Sequence, residues 1–213
     1  MTCRFIHRPV VSTVVAVLVL VLLAALSAAP ASAQGGLHDE SSLAGRLLVA
    51  TPKLRDPNFS HTVIYMVSHD EDGAMGIVIN RLAAIGPLAD LMGAFGIDAP
   101  PDAGEIRIFS GGPVQRNVGF ILHSTDYTLE ETIVVNDEIA LTAHTEILSA
   151  ISRGEGPAER LLAFGYAGWG PGQLEGELEA NAWYTVTANR RFVFDKELDT
   201  KWQRAVDLRG LDL

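Results

Sequence analysis

Residues 62–67 read TVIYMV, an uncharged stretch rich in β-branched and aromatic side chains. A strand with one wet face alternates polar and apolar residues, because successive side chains point to opposite sides. This stretch does not alternate, so it specifies a strand buried on both faces. Asp70-Glu71-Asp72-Gly73 follows as a turn signal, and residues 74–80 (AMGIVIN) return as the partner strand. The rest of the chain must therefore cover a central hairpin on two sides.

The covering elements can be read by periodicity. Leu88, Leu91, Met92 and Phe95 recur at helical spacing within residues 87–95. Ile147, Leu148 and Ile151 do the same within residues 145–153, with Gly154 placed to end that helix. Residues 173–181 (QLEGELEAN) form an amphipathic helix, with Leu174 and Leu178 facing in and Glu175, Glu177 and Glu179 mostly solvated. Leu198, Trp202 and Val206 mark a last helix. Short strands are expected at 43–50, 106–109, 119–123, 132–135, 161–166 and 183–188, and residues 192–194 are a short apolar piece. Helices and strands are interspersed without a strict βαβ rhythm, and there is no internal repeat or interdomain linker. The expected fold is α+β: a single compact domain over residues 43–213, with a large mixed β-sheet flanked by helices.

Ahead of this domain, residues 1–33 read as a secretory signal peptide. Arg4, His7 and Arg8 precede an almost unbroken apolar run over 10–29, Pro30 ends it, and Ala31-Ser32-Ala33 supplies the small-x-small pattern of a cleavage site. Cleavage is expected after Ala33, leaving 34–42 as a flexible leader and placing the domain in the periplasm or outside the cell. About 20 apolar residues can also span a bilayer, so an uncleaved membrane anchor is the alternative. A cytoplasmic protein with a misassigned start would need an alternative codon, because no methionine lies between Met1 and Met66.

Charge and cysteine content narrow the chemistry. After residue 33 the chain carries 14 basic against 26 acidic residues, a formal charge of −12. That field repels phosphate backbones, and no more than two basic residues are adjacent (Arg190, Arg191), so nucleic-acid binding is not expected. The only cysteine, Cys3, lies in the signal segment, which leaves the domain without disulfides, thiolate metal sites or a cysteine nucleophile.

Three motif groups give the sequence a family likeness. The first is Thr51-Pro52, Asp56-Pro57-Asn58-Phe59, Val63-Ile64-Tyr65, His69 and residues 73–80 (GAMGIVIN). The second is Gly111-Gly112-Pro113-Val114 followed by residues 119–123 (GFILH). The third is residues 165–170 (GYAGWG), residues 172–175 (GQLE), Glu177-Leu178 and Asn181-Ala182-Trp183. In this order and spacing the chain resembles the YqgE/AlgH family, from about Leu43 to Leu208. The resemblance implies a compact α+β domain with a large mixed sheet. It implies no settled activity: the family is named partly for a proposed regulator of alginate synthesis. Most members look cytosolic and lack an export signal, so this chain departs from the pattern at its N-terminus.

As chemistry, each motif has a functional and a structural reading. Gly168-Trp169-Gly170-Pro171-Gly172 precedes a helix, where free N–H groups can hold an anion; alternatively it is a turn with Trp169 plugging the core. Gly111 and Gly112 end a strand, where ligands often bind, or form a tight turn. Asp56 and Asn58 cap their own loop, or stand with Arg55 on the rim of a pocket shared with Tyr166, Trp169 and Gln173. His123 ends an apolar strand as a core or rim histidine, or serves as a base. His69, beside Asp70, caps the hairpin. No histidine pair has metal-binding spacing, and the sequence assigns no catalytic residue, metal or cofactor. The expected partner is a small-molecule ligand or an envelope protein, bound by Arg55, Asp56, Asn58, Gly111, Gly112, His123, Tyr166, Trp169 and Gln173. The alternatives are a hydrolase using His123 or Asp56 as base, and a transcriptional regulator by family name alone.

Overall fold

A computed structural model describes residues 42–209 except 101 and 188. The expected signal peptide, residues 1–33, and all but the last residue of the expected leader lie outside the described residues. The hairpin forms as expected. Strands β2 (Val63–Asp70) and β3 (Gly73–Val78) pair antiparallel, with Tyr65 opposite Ile77 and Ile64 opposite Val78. Val63, Ile64, Tyr65 and Met66 are all fully buried, as a non-alternating strand requires.

Around the hairpin the elements run β1 (Arg46–Ala50), β2, β3, β4 (Leu82–Pro87), α1 (Leu88–Ala94), β5 (Glu105–Ser110), β6 (Val114–Ser124), β7 (Ile133–Val134) and β8 (Ile139–Thr142). They continue with α2 (Glu146–Ser152), β9 (Arg160–Trp169), α3 (Gln173–Glu179), β10 (Trp183–Thr187), α4 (Arg190–Phe194) and α5 (Lys201–Leu208). The strands form one sheet in the order β10-β1-β2-β3-β9-β6-β8-β7, and β4 joins through β5, which also pairs with β9. The sheet is mixed because β5 and β9 run parallel while every other pairing is antiparallel.

β9 is the hub. One edge pairs with β6. The other pairs first with β5, Ile108 opposite Leu162 to Ser110 opposite Phe164, and then with β3, Gly76 opposite Ala167 to Ala74 opposite Trp169. The handover falls at Gly111 and Gly112. Gly111 N–H donates to the Phe164 carbonyl at 2.9 Å, and its own carbonyl accepts from Val78 N–H at 2.9 Å. Facing it, Gly165 has φ +75° and offsets the alternation of side chains by one residue. Leu161 and Ala163 before it and Tyr166 after it therefore share one face, while Ala167 and Trp169 join the other.

The two faces bury separate clusters. One face gathers side chains from nearly the whole sheet under α4 and α5, including Tyr65, Ile77, Leu122, Leu161, Phe192 and Ala205. The other divides in two. Leu48, Ile64, Met66, Trp169 and Trp183 lie under Leu174 of α3 and Phe59. Ile106, Ile121 and Leu162 lie under α1 and α2. No helix among the described residues is long and apolar enough to cross a membrane.

Three elements depart from the sequence reading. β4 was not anticipated: it is largely exposed, uncharged, and pairs only with β5. β8 is four fully buried residues, too short for periodicity to register. Residues 192–194 belong to a helical turn, α4, which Asn189 caps by accepting from Phe192 N–H at 2.8 Å.

Candidate functional site

The glycine–tryptophan motif lies at the C-terminal end of β9 and leads into α3. Trp169 is buried, stacks on Phe59 and meets Trp183 edge-on, with ring centroids 6.4 and 6.0 Å apart respectively. One carboxylate organises the cluster. Glu177 Oε2 accepts from both indoles, at 2.9 Å from Trp169 Nε1 and 2.8 Å from Trp183 Nε1. Its Oε1 accepts from Gln173 Nε2, also at 2.9 Å. Gln173 Oε1 in turn accepts from Gly170 N–H at 3.2 Å, so the side chain at the start of α3 takes one of the N–H groups of the preceding loop. Glu177 is thus not a solvated helix residue but the link between two buried tryptophans. Glu177→Ala should destabilise the protein by about 2 kcal/mol, since it strands two indole N–H groups. Urea unfolding followed by tryptophan fluorescence checks this, and an unchanged midpoint would contradict it.

His69 joins the hairpin to this helix. Its Nδ1 accepts from Leu43 N–H at 3.1 Å, which leaves Nε2 to donate to Glu175 Oε1 at 2.7 Å. The Glu175 carboxyl lies below its ordinary range, first through its own backbone N–H and next through His69. Rather than capping the hairpin, His69 fastens the segment before β1 and α3 to the end of β2.

Tyr166 points to the other face, against Phe120. Beside it the β2–β3 turn and β9 border a hollow of about 440 Å³. Met75, Val114, Tyr166, Gly168 and Trp169 line it, and Ser68, Asp70 and Asp72 stand around it. The structure therefore brings Tyr166 and Trp169 to one hollow, but not the other proposed ligands.

Arg55, Asp56 and Asn58 are exposed on the loop after β1 and do not line it. Asp56 Oδ1 accepts from Asn58 N–H at 2.7 Å, a local turn, and Asn58 Oδ1 has only a long contact with Arg116 at 3.4 Å. Gln173 is held in the Glu177 network. Gly111 and Gly112 are pressed against β9, where a Cβ on either would come within 2.2 Å of β9 backbone atoms. Among the described residues the Asp56 loop meets Trp169 through Phe59 in a packed aromatic contact, and it does not line the hollow with Tyr166.

His123 is fully buried. Its Nδ1 lies 2.9 Å from the Ser124 carbonyl and its Nε2 lies 2.8 Å from Thr142 Oγ1. Thr142 continues to Thr132 Oγ1 at 2.7 Å, and Thr132 accepts from Leu129 N–H, so the network ties residues 129–132 to the sheet. Burial holds the His123 pKa below its ordinary value. The sign follows: below about pH 6.5 the unfolded chain takes up a proton that the native state refuses, so stability falls as pH drops. Chemical denaturation across pH 5–7 should show a steeper acid-side loss in the wild type than in His123→Gln; equal slopes would count against it.

A larger cavity of about 680 Å³ opens where β5 and β9 part, lined by Ile85, Glu105, Arg107, Glu159, Arg160, Phe194 and Lys196 among others. None of these residues falls in the three sequence motifs, and its basic residues are far apart in the chain. Among the described residues no group of three or more His, Cys, Asp or Glu could hold a metal ion.

The family model described as DUF179, AlgH-like, matches residues 47–213. The chain belongs to the AlgH-like family. A UPF0301 protein of Rhodospirillum rubrum is 46% identical over 173 residues, covering 81% of this chain and 90% of that one. A UPF0301 protein of Methylococcus capsulatus is 44% identical over 170 residues, covering 80% and 93%. The solution structure of the AlgH protein from Pseudomonas aeruginosa superposes with a TM-score of 0.71 at 38% identity, over 82% of this chain and 93% of that one. The α+β domain with its large sheet is thus the AlgH-like fold. Family membership supplies no reaction or ligand for this AlgH-like chain.

Proposed function

We propose that this AlgH-like protein is a non-catalytic ligand-binding or accessory protein of the cell envelope, exported with residues 1–33 removed. The observation that carries the reading is the hollow beside Tyr166 and Trp169. Its apolar floor is formed by residues locked in the sheet, so a ligand meets a preformed surface rather than one that must be ordered. The carboxylates of Asp70 and Asp72 favour a neutral or cationic polar group on an apolar body. The two candidate bases support binding over hydrolysis: His123 is withdrawn behind Thr142, Asp56 is engaged in its own turn, and neither lines the hollow.

A thermal-shift screen of the mature protein against small amphiphilic amines and envelope components tests this. A ligand at 100 times its dissociation constant adds about 2.7 kcal/mol and should raise the melting temperature by about 5 °C or more. Tyr166→Ala should abolish the shift. No stabilisation across the panel, together with no co-purified small molecule by mass spectrometry, would overturn the binding reading. For export, N-terminal sequencing should begin at Gln34; an intact Met1 would reject cleavage.

A further inference from the structure

The cavity between β5 and β9 gathers three basic residues in a chain that is acidic as a whole. The ladder between these strands covers only residues 108–110 and 162–164. Upstream, each strand is engaged on its far side: Arg107 is registered with Ile85 of β4, and Arg160 with His123 of β6. The inner edges part, and Arg107 and Arg160 line the fork, joined by Lys196 from the connection between α4 and α5. Two carboxylates are present. Glu159 is committed to an ion pair with Arg190, leaving Glu105 as the other acid against three cations.

Among the described residues none of these three cations forms an ion pair. Among the described residues the arginine ion pairs are Arg153–Glu155, Arg190–Glu159 and Arg204–Asp195. Arg160 donates to the Pro157 carbonyl at 2.9 Å, one contact for a group with five N–H donors. Although part of its side chain is exposed, burial lowers the Arg160 pKa with no acid offsetting it. Arg107 also acts as a repelling positive neighbour on the buried Lys201 ammonium. Arg160 and Lys196 are exposed and Arg107 is half-buried, so an incoming anion can reach all three without breaking an ion pair. In a protein with a formal charge of −10, three cations against one uncommitted acid make this cavity locally positive.

We infer that the fork between β5 and β9 is an oxyanion-binding site, taking a phosphate or carboxylate group carried on a small body with an apolar part. The two guanidiniums suit planar, bidentate recognition of oxyanions, and Lys196 adds a mobile point charge at the mouth. Ile85, Leu162 and Phe194 line the same cavity and would meet the apolar part. This site shares no lining residue with the hollow at Tyr166, so either can fail without the other.

The test is an amide NMR titration of the mature protein with sodium pyrophosphate and, separately, sodium citrate, with sodium chloride holding ionic strength constant. Saturable shifts should cluster at residues 105–108, 158–162 and 194–196, and the tighter-binding salt identifies the class as phosphate or carboxylate. The double variant Arg107→Gln/Arg160→Gln should weaken binding by at least about tenfold, the loss expected when charge-assisted hydrogen bonds are removed. Lys196→Glu, an exposed change that leaves the strands untouched, should also weaken binding, and keeps the test valid if the double variant unfolds. Arg153→Gln, outside the fork, should bind like the wild type. Non-saturating shifts, shifts elsewhere, undiminished binding by Lys196→Glu, or an equal loss in Arg153→Gln would overturn the site.

Discussion

Gly112→Ala should destabilise the protein by about 3 kcal/mol or more, or prevent folding, because overpacking and a strained backbone act together there. Gly112 has φ +154°, and a Cβ on it would lie 2.1 Å from the Tyr166 carbonyl carbon and 2.2 Å from its oxygen. Those atoms belong to the backbone of β9 and have no rotamer to adopt. Gly119→Ala is the control: in the same strand-rich region its nearest neighbours are side-chain atoms 3.6 Å away, and its φ is ordinary. It should change stability by less than about 0.5 kcal/mol. Urea unfolding of the two variants side by side measures the difference. Equal midpoints would mean that the strands do not cross as closely as described.

Stability should also rise with alkalinity between pH 8 and 10, on account of Lys201. This side chain is fully buried in α5, with its ammonium donating to the Val193 and Asp195 carbonyls at 3.0 and 3.1 Å. Burial lowers its pKa to about 8, against the opposing attraction of Asp195, and Arg204 and Arg107 lower it further. Lysine in the unfolded chain titrates near 10.4, so between these values the unfolded state holds more protons than the native state. The slope of stability against pH is then positive, and the gain from pH 8 to 10 is on the order of 2 kcal/mol. Lys201→Met should flatten the slope. Above pH 10 the trend reverses, since unfolded tyrosine ionises while burial pushes the Tyr65 phenol upward. Denaturant melts at stepped pH decide the matter: a wild type as flat as the variant would refute it.

What could be read from the sequence was what local patterning controls. The hairpin was visible because residues 62–67 carry no alternation and a glycine turn follows. The last helix was visible because Leu198, Trp202 and Val206 repeat on one face, and all three pack on the core. β4 was not: six uncharged, largely exposed residues have no period to detect, and only β5 makes them a strand. Glu177 looked solvated because helix spacing knows nothing of indole groups arriving from β9 and β10. For the site, the period of a strand held more information than composition did. Tyr166 and Trp169 are three apart on β9 and so point to opposite faces: Trp169 packs on Phe59 of the Asp56 loop and Tyr166 on Phe120, which keeps that loop away from the hollow both border. The basic fork could not be read at all, because Arg107, Arg160 and Lys196 come from separate strands and a distant connection.

The position of β9 in the chain has a consequence for biogenesis. The strand that joins β3, β5 and β6 is residues 160–169, so none of those junctions can close until three quarters of the polypeptide has been made. Assembly dominated by such distant pairings is slow. If the chain is exported unfolded, as proposed above, that delay helps: the strand that locks the sheet is made after β1 to β8, and those segments stay open for passage until it arrives.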